Sequence, residues 1–331
     1  MRYGTIRAII DLLHKKHIYP LTKFKPCRQG RRKMLHLVYN DFKAFLEGPL
    51  TWKNYRQKVI DSYGDTMWNF HLFCAIAMGK QLEDIKKMIP AILPSQYIEV
   101  LEEIDDEKLE AVYNTVASKS KEVIQPVSEV DVYFVLTPLP KFCCSIPANG
   151  KLNAAVSVRY SMEKMHLILA HEYAHCLLAP YLAGYKQIEE LTERLPEQEF
   201  RLLMAKLHLN QSLKFHIVNE GLASCFPRLI FTDLSIYDLL FMMPKDAVTW
   251  CMENERMIKA AIIEELELEG MESYRKYFMN GPMSNPPEKF PAKIGYYAGY
   301  RIIENCLKSM SLEEVCSLGV DGIIHESKYF R

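Results

Sequence analysis

The sequence predicts an α+β protein that is predominantly helical and carries one small sheet. Three observations predict it. Apolar residues recur at helical spacing along most of the 331 residues, interrupted by Gly, Pro and capping residues that start and stop helices. β-branched and aromatic residues crowd into one stretch, 130–160, as a few adjacent strands require. The segment "LILAHEYAHCLLAP", 167–180, is apolar at helical length yet places two histidines and a glutamate inside itself.

Taken in order, the opening "MRYGTIRAIIDLLHKKHIYP" has arginines near its front, but Asp11 and the lysines interrupt the apolar run. It falls short of a signal core and no small-residue cleavage site comes after it, so secretion is not expected. Lys23, Lys25, Arg28, Arg31, Arg32 and Lys33 then form a basic cluster. It lacks the interleaved aromatics of a single-strand binder and reads as a solvated loop, so no nucleic-acid partner is expected. "HLVYNDFKAFLEG" has helical spacing and stops at Gly48; "TWKNYRQKVIDSYGDTMWNFHLFCAIAMGK" continues it, and Pro90 and Pro94 break the next segment. Ser95 is the expected N-cap of "SQYIEVLEEI", and "DDEKLEAVYNTVASKSKEVI" is an amphipathic helix with acids in its first turn.

"VDVYFVLTPLP" then reads as a buried strand, and "FCCSIPANGKLNAAVSVRY" as two short strands around the turn at Asn149-Gly150. The remainder is helical. The expected organisation is a helical N-terminal region, 1–125, followed by a second domain, 126–331. "NAAVSVRY" reads equally as a sheet edge, with Ala154 to Val158 able to hold an extended peptide by main-chain hydrogen bonds, or as an ordinary interior strand.

Composition narrows the function class. Apolar residues are 49% and charged residues 25%, and 41 basic residues cancel 41 acidic ones, so no global charge draws the chain to nucleic acid or an acidic membrane. The longest uncharged run, "TMWNFHLFCAIAMG", is too short to span a bilayer. Nine scattered cysteines without a CxxC pair point to a reduced, cytoplasmic protein.

His171, Glu172 and His175 spell HExxH. Residues four apart lie one helical turn above each other, so both imidazoles can share one cation. Glu172, turned by about 100° from its neighbour, stands beside such an ion, where it can take a proton from metal-bound water. Zinc at a catalytic site takes three protein ligands and leaves the fourth position to water. The third ligand is expected from "KFHIVNEGLASCF", with Glu220 favoured and His216, one turn earlier, competing. Cys176 and Cys225 are weaker alternatives. One Zn²⁺ is therefore the expected cofactor.

HExxH with a distant glutamate inside Asn-Glu-Gly-Leu-Ala resembles the gluzincin metallopeptidases. With "AKIGYYAGYRII", 292–303, the C-terminal part resembles a microbial family of uncharacterised, predicted zinc-dependent proteases that end in a Gly-Tyr-x-x-Gly-Tyr helix. The resemblance covers about 125–310, and 44 residues separate His175 from Glu220, more than in thermolysin-like enzymes. Ser224 stands where an aspartate is expected. It implies a zincin-like catalytic domain that hydrolyses a peptide or protein substrate, with Glu172 as general base. Tyr296, then Tyr300, then Arg301 are candidates to stabilise the developing oxyanion; the alternative is that the tyrosines pack the core. Gly295 and Gly299 fall on one face, where close backbone approach would compensate their helix-weakening effect. Two rivals stand beside this reading: a deformylase-like amidase, and a catalytically silent zincin-fold interaction module. The oligomeric state is left open.

Overall fold

The computed structural model describes residues 34–126, 129–149, 151–178, 181–182, 211–279 and 290–331. The N-terminal stretch and the basic cluster at 23–33 lie outside the described residues. Met34–Arg331 form one compact unit, predominantly helical with a four-stranded sheet.

The strands are β1 (Leu35–Leu37), β2 (Val132–Val135), β3 (Cys144–Ala148) and β4 (Lys151–Ser157), in spatial order β1-β2-β4-β3. β1 and β4 both pair parallel to β2, with Leu35 opposite Val132 and Val132 opposite Ala154. β3 pairs antiparallel to β4, with Cys144 opposite Ala155. β2 and β4 are buried at every position, as central strands covered on both faces must be, which is why "VYFV" carries no polar alternation. β4 buries three polar residues, Lys151, Asn153 and Ser157; the Asn153 amide donates to the Ile146 and Ala148 carbonyls at 3.1 and 3.2 Å and fastens the hairpin.

Of the two readings open for "NAAVSVRY", sheet edge or interior strand, β4 takes the interior one. The turn at Asn149, where φ is 55°, joins two strands but does not say which one faces the rest of the sheet. Pairing with β2 decides that, and β3 becomes the edge. Its Pro147 suits an edge position, and the Asn69 amide donates to the Pro147 carbonyl at 2.7 Å.

Among the helices, α1 (Val38–Leu46) starts two residues later than its spacing suggests, because Leu35–Leu37 are drawn into β1 and His36 stacks on Tyr133 of β2 at 4.3 Å. The long helix expected from Thr51 onward is broken: a one-turn α-helix at Trp52–Tyr55 passes into a π-helical segment, Arg56–Ile60, and a 3-10 turn, Asp61–Tyr63, and α2 (Gly64–Ala77) begins at Gly64 with φ 58°, a backbone state open to glycine at little cost. Ser95 lies inside a 3-10 turn, Pro94–Tyr97, rather than capping a helix. α3 (Asp106–Val123) has the acidic first turn expected, and Asp105 caps it by accepting from the Lys108 amide at 3.0 Å.

Three helices make the centre: α4 (Met165–Leu178), α5 (Leu213–Ile230) and, after α6 (Met271–Phe278), α7 (Ile294–Leu307). α4 lies on β4, and α5 packs against both α4 and α7. The α5–α7 contact is backbone to backbone. A Cβ built on Gly221 would stand 2.4 Å from the Gly299 carbonyl oxygen, and one on Gly299 would stand 2.3 Å from the Ile217 carbonyl oxygen. Gly221 thus serves the tyrosine helix rather than α4, and Gly295 makes room for the Phe278 ring.

Candidate metal centre

α4 can run apolar because it is buried almost all round; His171 and Glu172 are 1% and 4% exposed. The helical pitch stacks His171 above His175, and α5 delivers Glu220 from the neighbouring helix. The three donor atoms form a near-equilateral triangle. His171 Nε2 is 3.2 Å from His175 Nε2, and Glu220 Oε2 is 3.4 Å from each of them. A tetrahedral ion about 2.0–2.1 Å from each donor separates the donors by about 3.3–3.4 Å, so the triangle has the edge such an ion needs. Glu220 Oε2 is buried with the two imidazole Nε2 atoms as its neighbours at 3.4 Å, and a buried carboxylate needs positive charge at this point. Two imidazole nitrogens and one carboxylate oxygen suit a divalent borderline ion. The residues present therefore fit one.

The partners of the donors fix their orientation. His175 Nδ1 faces Asn219 Oδ1 at 3.4 Å, leaving Nε2 as the lone-pair nitrogen toward the triangle. Tyr274 donates to Glu220 Oε1 at 3.5 Å. The Phe241 ring meets His171 edge-on at 5.7 Å. The side chains of His175 and Glu220 keep 12% and 9% exposure against 1% for His171, so the triangle is reached from their side.

The electrostatics favour positive charge at this point. Burial lowers both imidazoles, but at His175 the Glu220 carboxylate outweighs burial and pushes the pKa up to about 9, while His171 stays below its usual range. Burial would raise Glu220, yet the two facing imidazoles hold it well below the carboxylate range. Metal-free, the trio is thus an ionised carboxylate, one charged imidazole and one neutral one. Burial pushes Glu172 up to about 7, opposed by His175 and reinforced by Glu220.

The other candidates divide. Tyr296 belongs to the surroundings: its ring is 6.4 Å from that of His171 and 5.2 Å from Phe278, and burial, with Glu220 adding to it, raises its hydroxyl far above the usual range. The Tyr300 hydroxyl donates to Glu304 at 2.5 Å and accepts from Arg228 at 3.1 Å. Arg301 pairs with Glu304 and Glu255. His216 packs against Tyr274 at 4.9 Å and is not part of the triangle, which among the described residues is His171, His175 and Glu220. Cys176 and Cys225 donate to Ser145 Oγ and the Tyr300 carbonyl. Sequence reasoning passed over Asn219, Tyr274, Phe241 and Lys293. Asn219 left a signal as the residue before Glu220, and Lys293 lies within the quoted 292–303 stretch; Phe241 and Tyr274 arrive from segments with no motif.

A family model described as "Gliding motility protein GldB", a lipoprotein family, matches residues 51–330. No curated protein and no solved structure matches the chain. The family match corrects the sequence-based identification as a gluzincin-type zinc-dependent protease, and with it the expectation of an enzyme that hydrolyses peptide bonds. The pattern misled for a physical reason. Histidines four apart with buried flanks specify that two imidazoles share a helix face, which any buried chelating helix needs, whatever is done with the ion. The Gly-Tyr-x-x-Gly-Tyr helix owes Gly299 to the backbone contact with α5 and Gly295 to the Phe278 ring, and it commits Tyr300 to an ion-pair network, so these positions are a packing signature. A peptide or protein as substrate loses its support likewise.

The cytoplasmic placement is corrected too, since a lipoprotein is held to a membrane by a covalent lipid that leaves no long apolar helix in the sequence. No helix among the described residues is long and apolar enough to cross a membrane. All eight described cysteines are free and seven are buried; thiols shielded in a core stay unpaired in any compartment, so their count does not report one. Because the match runs over most of the chain and takes in the whole His171–His175–Glu220 triangle, the chain belongs to the family of the gliding motility protein GldB.

Proposed function

We propose that the chain is a catalytically silent interaction module on a zincin-like frame, acting with protein partners in gliding motility. A single Zn²⁺ held by His171, His175 and Glu220 fastens α4 to α5 and presents a rigid face to those partners. The observation that carries this reading is the span of the family match, 51–330, which includes every residue of the metal triangle. The triangle supports the metal through its donor spacing and the buried Glu220 carboxylate that converges on the two imidazoles. When bound, the ion supplies positive charge that compensates the buried carboxylate and a cross-link between two helices. His171 and His175 hold their lone pairs toward that point, Asn219 holds the His175 ring in its orientation, and Tyr274 holds the far oxygen of Glu220.

The test combines metal analysis with function. Purified protein is expected to carry one zinc per chain and to lose thermal stability when a chelator removes it, by about 3–4 kcal/mol if free metal stands at a hundred to a thousand times Kd. Glu172→Gln is expected to keep both the zinc and the ability to restore gliding in a cell lacking the protein. A Glu172→Gln protein that retains zinc but fails to restore gliding, with peptide cleavage present in the parent and absent in the variant, would overturn the proposal.

A further inference from the structure

A divalent ion at the triangle leaves the site with surplus positive charge. Two neutral imidazoles add none, and the Glu220 carboxylate cancels only half of the ion's charge. A second cation stands beside it. Lys293, the residue before α7, holds its backbone at φ 70° and ψ 20°, a left-handed state in which a lysine is strained. Its ammonium donates to the Met242 carbonyl at 3.0 Å and lies 5.9 Å from the centre of the Tyr296 ring.

Both anchors border the metal site. Tyr296 neighbours His171, and Phe241, the residue next to Met242, touches the His171 ring. Burial lowers the Lys293 pKa, and the Glu220 carboxylate opposes that through space. The ammonium has three protons, and the Met242 carbonyl uses one. Even with Glu172 ionised, a site holding a divalent ion, Lys293 and Glu220 keeps net positive charge among the described residues. The triangle occupies three corners of a tetrahedron and leaves the fourth for a further ligand. Such a place takes an anion, and an oxygen anion is the match for both a borderline metal and an ammonium.

We propose that Lys293 makes the open side of the His171–His175–Glu220 site an anion subsite, which receives a carboxylate from an acidic segment of a protein partner as the fourth ligand. This rests on the metal reading above and deepens it by naming the chemistry of the partner.

The test uses the full chain loaded with Co²⁺, whose visible spectrum reports its ligands. Three probes are titrated: a short Asp-rich peptide, the same peptide with Asn for Asp, and succinate. The Asp peptide is expected to change the Co²⁺ spectrum and the Asn peptide to leave it unmoved. Lys293→Asn, which tolerates the left-handed backbone, is expected to bind the same Co²⁺ but to weaken the Asp peptide about ten-fold or more; Lys293→Arg is expected to retain most of the affinity. Parent protein that takes up no Co²⁺ overturns the metal reading and this proposal together. Co²⁺-loaded protein whose spectrum ignores carboxylates, or a Lys293→Asn protein that binds the Asp peptide as the parent does, overturns this proposal alone. Succinate binding as tightly as the Asp peptide overturns the partner assignment.

Discussion

Gly299→Ala tests the helix pairing on which the metal triangle depends. The added Cβ would lie 2.3 Å from the Ile217 carbonyl oxygen and 3.0 Å from both Cα and N of Gly221. Ordinary carbon–oxygen contact needs about 1 Å more, and every atom in the way is backbone, so no side chain can swing aside; α7 must move off α5. Overpacking of this kind costs about 1–3 kcal/mol, sometimes more. Alanine in place of glycine inside a helix returns about 1 kcal/mol. With unyielding neighbours the clash sits at the upper end, and the expected net loss is about 2 kcal/mol.

Urea denaturation followed by far-ultraviolet circular dichroism measures it as a lower midpoint at unchanged slope. Gly221→Ala meets the same interface from the other side, 2.4 Å from the Gly299 oxygen, so one separation of the helices relieves both clashes. The double variant is therefore expected to lose less than the sum of the single losses. A Gly299→Ala protein more stable than the parent by the propensity gain alone would refute the backbone contact and the helix placement that brings Glu220 to the histidines.

Other outcomes concern separate parts of the molecule. His71 is fully buried and accepts from the Tyr55 hydroxyl at 2.7 Å while donating to the Met67 carbonyl at 2.6 Å, and burial lowers its pKa from 6.5 to about 4. The unfolded chain takes up a proton that the folded one refuses. This group's contribution is therefore full above pH 6.5 and falls by about 3 kcal/mol as pH drops to 4; a His71→Gln protein with the same acid slope as the parent would count against it. Lys151 and Asp131 form a buried pair at 2.8 Å, and Lys151 also donates to the Glu129 carbonyl. Asp131→Leu alone is expected to cost about 3–5 kcal/mol, and Asp131→Leu with Lys151→Met much less, measured by urea midpoints. Asn219→Leu removes the group that orients His175 and is expected to weaken zinc about ten-fold, toward the lower end for outer partners because the contact is long. Glu220→Gln is expected to weaken zinc more than Asn219→Leu does, and competition with a chromophoric chelator ranks the two.

Local pattern determined a good deal. The sequence alone shows that the chain is mostly helical, that β2 is a buried strand, that β3 and β4 flank a turn at Asn149, and that His171 and His175 share a helix face. Each of these rests on interactions within a few residues: helical pitch, strand alternation, caps and turn geometry. The spacing of two imidazoles is a local fact, whereas the use made of an ion is not, which is why the peptidase reading failed while the cluster itself could be named.

Only the tertiary structure decided the rest. It chose β4 rather than β3 for the sheet interior through pairing with β2, and it drew Leu35–Leu37 out of a helix and into the sheet. It also set Glu220 rather than His216 into the triangle and brought Lys293 against Met242, next to Phe241 of the His171 surroundings. These contacts join residues distant along the chain, and whether they form depends on how whole helices pack. Gly221 and Gly299 show the reason most directly: each is only a small residue in sequence, and together they set the distance between two helices.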